Sequence, residues 1–263
     1  MTDIEEHDLG LSHDLPVLVS RRRALGLLAG GLGATALAAC GASDSGPAST
    51  ATDSTDAAEI PEETAGPYPG DGSNGPNVLA ESGVVRSDIT SSFGGPSGTA
   101  EGVPATVEMT LLDIAAGGTA LAGAAVYLWH CNRDGQYSMY DAAIASENYL
   151  RGVQVSGKDG KVKFTTIFPA AYSGRWPHMH FEVYDSVESA AAAGSKLRTS
   201  QIALPKDACD AVYATDGYDQ SVRNLAQTAL DTDMVFSDGY ASQLAAWSGS
   251  ADDRVNLKLN VGV

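Results

Sequence analysis

Short apolar runs separated by Gly, Pro, Asp and Asn recur along the chain from about residue 60 onward. Residues 105–112, 121–129, 161–167, 178–184, 199–204 and 254–261 read as β-strands on that pattern. The first alternates apolar and polar side chains in part, as a half-buried strand does. Asp113-Ile-Ala-Ala-Gly-Gly-Thr119 supplies a turn between the first two, and Gly157-Lys-Asp-Gly160 another before Lys161-Val-Lys-Phe-Thr-Thr-Ile167. Residues 206–213 and 220–230 have helical spacing, and the Ala/Ser-rich stretch 186–196 reads as an exposed loop. No repeat of fixed period is visible. The expected fold is mainly β: a β-sandwich with short helices and long loops, in one domain over residues 60–263.

The first residues change that picture only by standing apart from it. Ser20-Arg21-Arg22-Arg23 precedes an apolar Gly/Ala/Leu run that ends Leu37-Ala38-Ala39-Cys40-Gly41. The run suits the h-region of an export signal, and the paired arginines read as a twin-arginine start. Residues 1–39 are therefore expected to be a signal peptide. Cys40 sits where a bacterial lipobox places its lipidated cysteine; ordinary cleavage at the same small residues, giving a secreted protein, is the alternative. Residues 40–59 hold almost nothing large to bury and read as a flexible tether. The domain is expected to work outside the cytoplasm, held to the outer face of the cytoplasmic membrane by lipid or released.

The formal charge of −17 becomes −15 without residues 1–39, which carry five acids and three arginines. So acidic a chain is a poor partner for nucleic acid or anionic lipid. With Cys40 assigned to lipid, Cys131 and Cys209 remain in an oxidising compartment, and one disulfide is the simplest pairing, two buried thiols the alternative.

The chemistry concentrates in Tyr172-Ser-Gly-Arg175-Trp-Pro-His178-Met-His180. In an extended strand His178 and His180 share a face, about 6.5–7 Å apart along the chain, a geometry that can chelate one metal ion. Histidine is scarce: His7 and His13 lie in the signal, leaving His130 as the third. A second aromatic cluster surrounds Asp134-Gly135, a turn signal that places Tyr137 just past a buried strand. Taken singly, Arg175 reads as a surface ion-pair partner, and Tyr127, Trp129 and Tyr149 as core.

Four ordered blocks together resemble the intradiol ring-cleavage dioxygenases, non-haem ferric enzymes that open catechols between their hydroxylated carbons. They are Pro61-Glu-Glu-Thr-Ala-Gly-Pro67-Tyr68-Pro69, Trp129-His-Cys-Asn-Arg-Asp-Gly135-Gln-Tyr137-Ser, Tyr149-Leu-Arg151-Gly-Val-Gln154, and Pro169-Ala-Ala-Tyr172 through His180. The resemblance implies an Fe(3+) site of Tyr137, Tyr172, His178 and His180. It implies that Tyr172 acts as both ligand and base, leaving the metal as catechol binds. Arg175 matches the arginine that stabilises carbanionic ring character, and Gln201 lies near the position of a glutamine flanking the oxygen site. Tyr68 is expected to line the substrate mouth. Two phenolates are hard anions suited to a trivalent ion, and only a strong local cation keeps them ionised at neutral pH. Catechol and O2 are the implied substrates and a muconate-type dicarboxylic acid the product; no second subunit is implied.

Two other readings use the same residues. A zinc hydrolase would take His130, His178 and His180 as a three-histidine site with an open position for water, leaving both tyrosines idle. A non-enzymatic binding module would keep the sandwich alone. The chain also departs from the family pattern at Pro169-Ala, where Gly commonly follows the proline, so the backbone there has no glycine freedom.

Overall fold

The computed structural model describes residues 58–263. The expected signal, Cys40 and all but the end of the tether lie outside the described residues. Glu59, within the stretch read as a tether, bridges to Gly262.

Among the described residues nine strands form two sheets. In chain order they are β1 (Pro104–Asp113), β2 (Thr119–Ala120), β3 (Ala125–Trp129), β4 (Arg151–Val155), β5 (Lys161–Ile167), β6 (His178–Tyr184), β7 (Lys196–Ala203), β8 (Ala246–Gly249) and β9 (Val255–Gly262). One sheet runs β2-β1-β9-β8, with β5 also paired to β1; the other runs β4-β3-β6-β7. Only the β1–β9 pair is parallel among the strand ladders. Three short helices, α1 (Val187–Ala191), α2 (Lys206–Tyr213) and α3 (Asp219–Leu225), follow β6 and β7.

Side-chain parity explains the layering. Val107, Met109 and Leu111 of β1 pack in one core with Val126 and Leu128 of β3 and Met179, Phe181 and Val183 of β6. The opposite face of the second sheet is covered too, since Tyr127, Trp129 and Tyr184 join a separate cluster with Val78, Leu79 and Val84. Strands β3 and β6 are thus buried on both faces, which is why they read as near-continuous apolar runs. Polar residues on their outer face are enclosed by the loops that cover them.

The strand expectations hold at 161–167 and 178–184, and helix α2 falls where the spacing placed it. Run 121–129 becomes strand only at Ala125, because Gly123 turns the chain at a φ of 84° and carries it from one sheet to the other. The expected loop 186–196 contains α1, whose start is capped by Ser186 Oγ accepting from Ser189 N. The expected helix 220–230 stops at Leu225, and a single 3-10 turn (Leu230–Thr232) then brings Asp233 back toward the second sheet. Strands β4 and β8 escape a hydrophobicity reading: one opens on a charged arginine, the other is largely exposed.

The predicted Cys131–Cys209 disulfide is not formed. Both thiols are free and buried. Cys131 sits in the outer-face cluster, with Sγ 3.7 Å from the Ala170 carbonyl, while Cys209 lies on α2 inside the main core. Burial raises both thiols, Cys131 to about 12, so neither is a reactive thiolate.

Candidate metal centre

On β6, Met179 points into the sandwich core while His178 and His180 share the covered outer face, with His180 in register between Trp129 of β3 and Gln201 of β7. The Trp129 ring stacks on His180 at 5.0 Å, with the planes 8° apart. The turn after β3 returns Tyr137 to the same place. Asn132 Oδ1 accepts from the amides of Asp134 and Gln136, Gly135 takes φ 81°, and Tyr137 N donates to Asp141 Oδ2 at 2.6 Å. Tyr172 arrives after β5 on Pro169-Ala-Ala. That segment is pinned by Ala170 N to Asn132 O, Ala171 N to Ser221 Oγ and Asn224 Nδ2 to Ala171 O, the last two from α3. Ala170 is not among the residues at positive φ, so the missing glycine is absorbed without strain.

The four side chains converge. The Tyr172 hydroxyl lies 3.0 Å from His178 Nε2, and the two histidine Nε2 atoms are 3.1 Å apart. The Tyr137 ring stands 6.1 Å from both the Tyr172 and His180 rings. His178 Nδ1 donates to the Trp176 carbonyl at 2.5 Å, which leaves its Nε2 lone pair facing the cluster. Adjacent donors around one ion at about 2.1 Å stand about 3 Å apart, which these spacings match. Among the described residues the buried Tyr137 hydroxyl makes no hydrogen bond of good geometry, although it lies beside the Tyr172 hydroxyl. An orphaned buried hydroxyl is costly unless something absent from the protein itself satisfies it.

The electrostatics agree. Burial drives both imidazoles well below 6.5, helped for His178 by Arg175 and for His180 by His178 and then Arg175. Burial raises both phenols above 10; Arg175 opposes this for Tyr172 and, as a smaller effect, for Tyr137. Left to themselves, the four groups are neutral, and a bound cation is what would ionise the phenols. Two phenol oxygens and two imidazole nitrogens fit a hard trivalent ion.

His130 is not part of this cluster. Its Nδ1 contacts the Cys131 carbonyl at 2.8 Å and its Nε2 contacts Thr166 Oγ1 at 2.7 Å, on the other side of β3. Among the described residues no three His, Cys, Asp or Glu side chains are grouped for a metal. The three-histidine zinc arrangement is therefore overturned.

Arg175 is buried rather than superficial. Its fork is held by Asp233 and by Gln201 Oε1, the latter at 2.8 Å, and Gln201 Nε2 in turn donates to Thr64 O at 2.9 Å. Residues 64–77 form a strap over the cluster. A Cβ on Gly66 would lie 3.1 Å from His180 Cε1, and the half-exposed Tyr68 ring lies 5.0 Å from Tyr137. Arg151 clamps this strap from beneath: Nη1 donates to Pro69 O and Tyr127 Oη, Nη2 to Tyr68 O and Ser138 O, and Nε to Ser138 Oγ. Lys196 adds a tether from β7, with Nζ 2.6 Å from both Asp71 and Glu182. Sequence reasoning missed Asp233, which lies 58 residues from Arg175 in an unremarkable segment, and quoted Arg151 without assigning it a task.

A family model described as Dioxygenase (Dioxygenase_C) matches residues 74–192. Chlorocatechol 1,2-dioxygenase of Rhodococcus opacus is 38% identical over 55 residues, 21% of this chain and 21% of that protein. Catechol 1,2-dioxygenase 1 of Acinetobacter lwoffii is 43% identical over 56 residues, 21% of this chain and 18% of its own length. The matched stretch thus spans about a fifth of these curated relatives. The fold resembles an intradiol ring-cleavage dioxygenase from Tetranychus urticae with a TM-score of 0.60 at 23% identity, covering 78% of this chain and 94% of that one. The mostly β, two-sheet architecture is shared with that structure, while the family model covers residues 74–192, less than half of the chain.

Proposed function

We propose that the protein uses ferric iron and O2 to cleave a catecholic ring between its two hydroxylated carbons, yielding a muconate-type dicarboxylic acid. The observation that carries the reading is the convergence of Tyr137, Tyr172, His178 and His180, with the two Nε2 atoms 3.1 Å apart and the buried Tyr137 hydroxyl beside that of Tyr172. When bound, iron(III) would supply the Lewis acidity that ionises the phenols and acidifies the catechol hydroxyls. Tyr172 would help hold the ion and would accept a catechol proton at its Oη, so that one residue serves as both ligand and base. Arg175 offers a rigidly held N–H donor, its charge balanced by Asp233, for the charge that develops on the ring. Gln201 holds the Arg175 fork at 2.8 Å, and Tyr68 covers the mouth of the site. Both oxygen atoms enter the product.

The reading extends to location. The arginine-led apolar run and Leu37-Ala-Ala-Cys40 support export and a lipid on Cys40. An extracytoplasmic enzyme would meet diffusing catechols rather than an intermediate passed on in the cytosol. Metabolic labelling with a radioactive fatty acid, lost in Cys40→Ser, tests the anchor.

Purified protein tests the chemistry. A red to burgundy ferric-tyrosinate band that shifts on adding catechol is expected, with oxygen uptake across catechol, protocatechuate, hydroxyquinol and chlorinated catechols ranking the substrates. Protein that stays colourless after anaerobic ferrous loading and re-oxidation would overturn the proposal and leave a binding module.

A further inference from the structure

Asp233 lies beyond the family match, which ends at residue 192, yet its carboxylate accepts five hydrogen bonds beside the candidate centre. Its side chain has 0% exposure. Oδ2 accepts from Arg175 Nε at 3.0 Å and Trp176 N at 2.7 Å; Oδ1 accepts from Arg175 Nη2 at 3.2 Å, Val235 N at 2.9 Å and Phe236 N at 3.3 Å. The last two come from its own turn, so the carboxylate is fixed before it meets the arginine. The second hydrogen of Nη2 goes to Gln201 Oε1, and Arg175 Nη1 has no hydrogen-bond partner among the described residues. The same turn carries Phe236, whose ring lies 5.9 Å from Arg175 Cζ and 6.5 Å from the His178 ring. A two-point carboxylate grip on a planar guanidinium fixes both its position and its plane.

The grip also cancels charge. Around the site Arg151 directs its fork to carbonyl and hydroxyl oxygens, Lys196 is paired to Asp71 and Glu182, and Arg175 is paired to Asp233. A ring carboxylate entering such a site loses water, and it meets Arg175 and Lys196 already paired to carboxylates and Arg151 with its fork turned to carbonyl and hydroxyl oxygens.

We propose that Asp233 is the positioning residue of this centre: it orients Arg175 with Nη1 free for the substrate and neutralises it, so that uncharged catechols are favoured over ring-carboxylated ones. The inference rests on the proposed dioxygenase reading for its substrate and on geometry alone for the pairing.

The test uses the full chain and Asp233→Asn. In iron-free, nitrogen-15-labelled protein, the Arg175 Nε–H resonance, assigned by its loss in Arg175→Lys, is expected to exchange slowly in wild type and at the solvent rate in Asp233→Asn. In iron-loaded protein the variant is expected to keep its visible band while kcat for catechol falls about 10- to 100-fold, the scale of a misplaced group. Its kcat/KM ratio should move about 10-fold toward protocatechuate, a change that a merely structural carboxylate would not produce. An unchanged, protected Nε–H in the variant overturns the pairing, and a ratio that stays fixed or moves toward catechol overturns the charge role. If Asp233→Asn does not fold, wild type still decides: a fast-exchanging Arg175 Nε–H, or a preference for protocatechuate over catechol, refutes the proposal. Wild type lacking both band and oxygen uptake refutes the dioxygenase reading instead, and Nε–H exchange then judges Asp233 alone.

Discussion

Replacing Arg151 with Met removes a guanidinium that is 1% exposed and has no carboxylate partner among the described residues. Five hydrogen bonds vanish, but the five acceptors do not suffer equally. Pro69 O keeps the Tyr127 hydroxyl at 2.7 Å, and Ser138 Oγ still donates to Tyr149 O at 2.7 Å. The carbonyls of Tyr68 and Ser138 lose their guanidinium donor. Each unsatisfied buried acceptor costs about 1–3 kcal/mol, and the cost of desolvating the cation, no longer incurred, offsets part of the loss. The backbone adds to the expectation, since Met139 and Leu150, next to the two ends of the clamp, hold φ of 72° and 57°. Such conformations persist only where surrounding contacts hold them. A net loss of about 3–5 kcal/mol follows, or about 6–20 °C in melting temperature for a domain of this size. Urea titration followed by tryptophan fluorescence, with calorimetry alongside, measures it. Arg151→Lys should recover less than half, because an ammonium cannot reproduce the fork. The strap is also released, so KM for catechol should rise more than kcat falls. A loss below about 1 kcal/mol with KM unchanged would refute the clamp.

Three further outcomes are expected. Tyr137→Phe should abolish most iron retention while Tyr172→Phe keeps much of it and slows catechol deprotonation, read by iron content and stopped-flow absorbance; the reverse order would mean the two roles are exchanged. Reductant should leave the melting temperature unchanged, because Cys131 and Cys209 are free, and mass spectrometry after alkylation under denaturing conditions should find both modified. Burial, with a smaller contribution from Arg151 against the Cys131 carbonyl, lowers His130 from 6.5 to about 4. Its folded pKa lies below the unfolded one, so its stabilisation is complete above about pH 6.5 and is lost as pH falls toward 4. That amounts to about 3 kcal/mol, and His130→Gln should flatten the slope of stability against pH in that window.

The sequence by itself determined the local chemistry. The alternation of His178-Met-His180 already put both imidazoles on one face, because side-chain parity in a strand is fixed by backbone geometry, and the structure places Met179 in the sandwich core as that parity requires. Turn residues marked where Tyr137 comes back, and short-range apolar spacing located β5, β6 and α2. What only the tertiary structure decided is everything that depends on pairing across long separations. Arg175 looked like a surface charge until a residue 58 positions away buried it, and nothing in the pattern around Asp233 distinguishes it from other acids of an acidic chain. Arg151 opens a strand that hydrophobicity could not find, since its burial is stabilised by carbonyls brought from 82 and 83 residues earlier. The two cysteines looked like natural partners by count alone, yet they occupy different packed clusters. His130, adjacent in sequence to the core of the site, is excluded from it because its ring faces Thr166. Periodicity reports which face a residue lies on; which other residue meets it there is set by sheet register and loop closure, which local sequence does not encode.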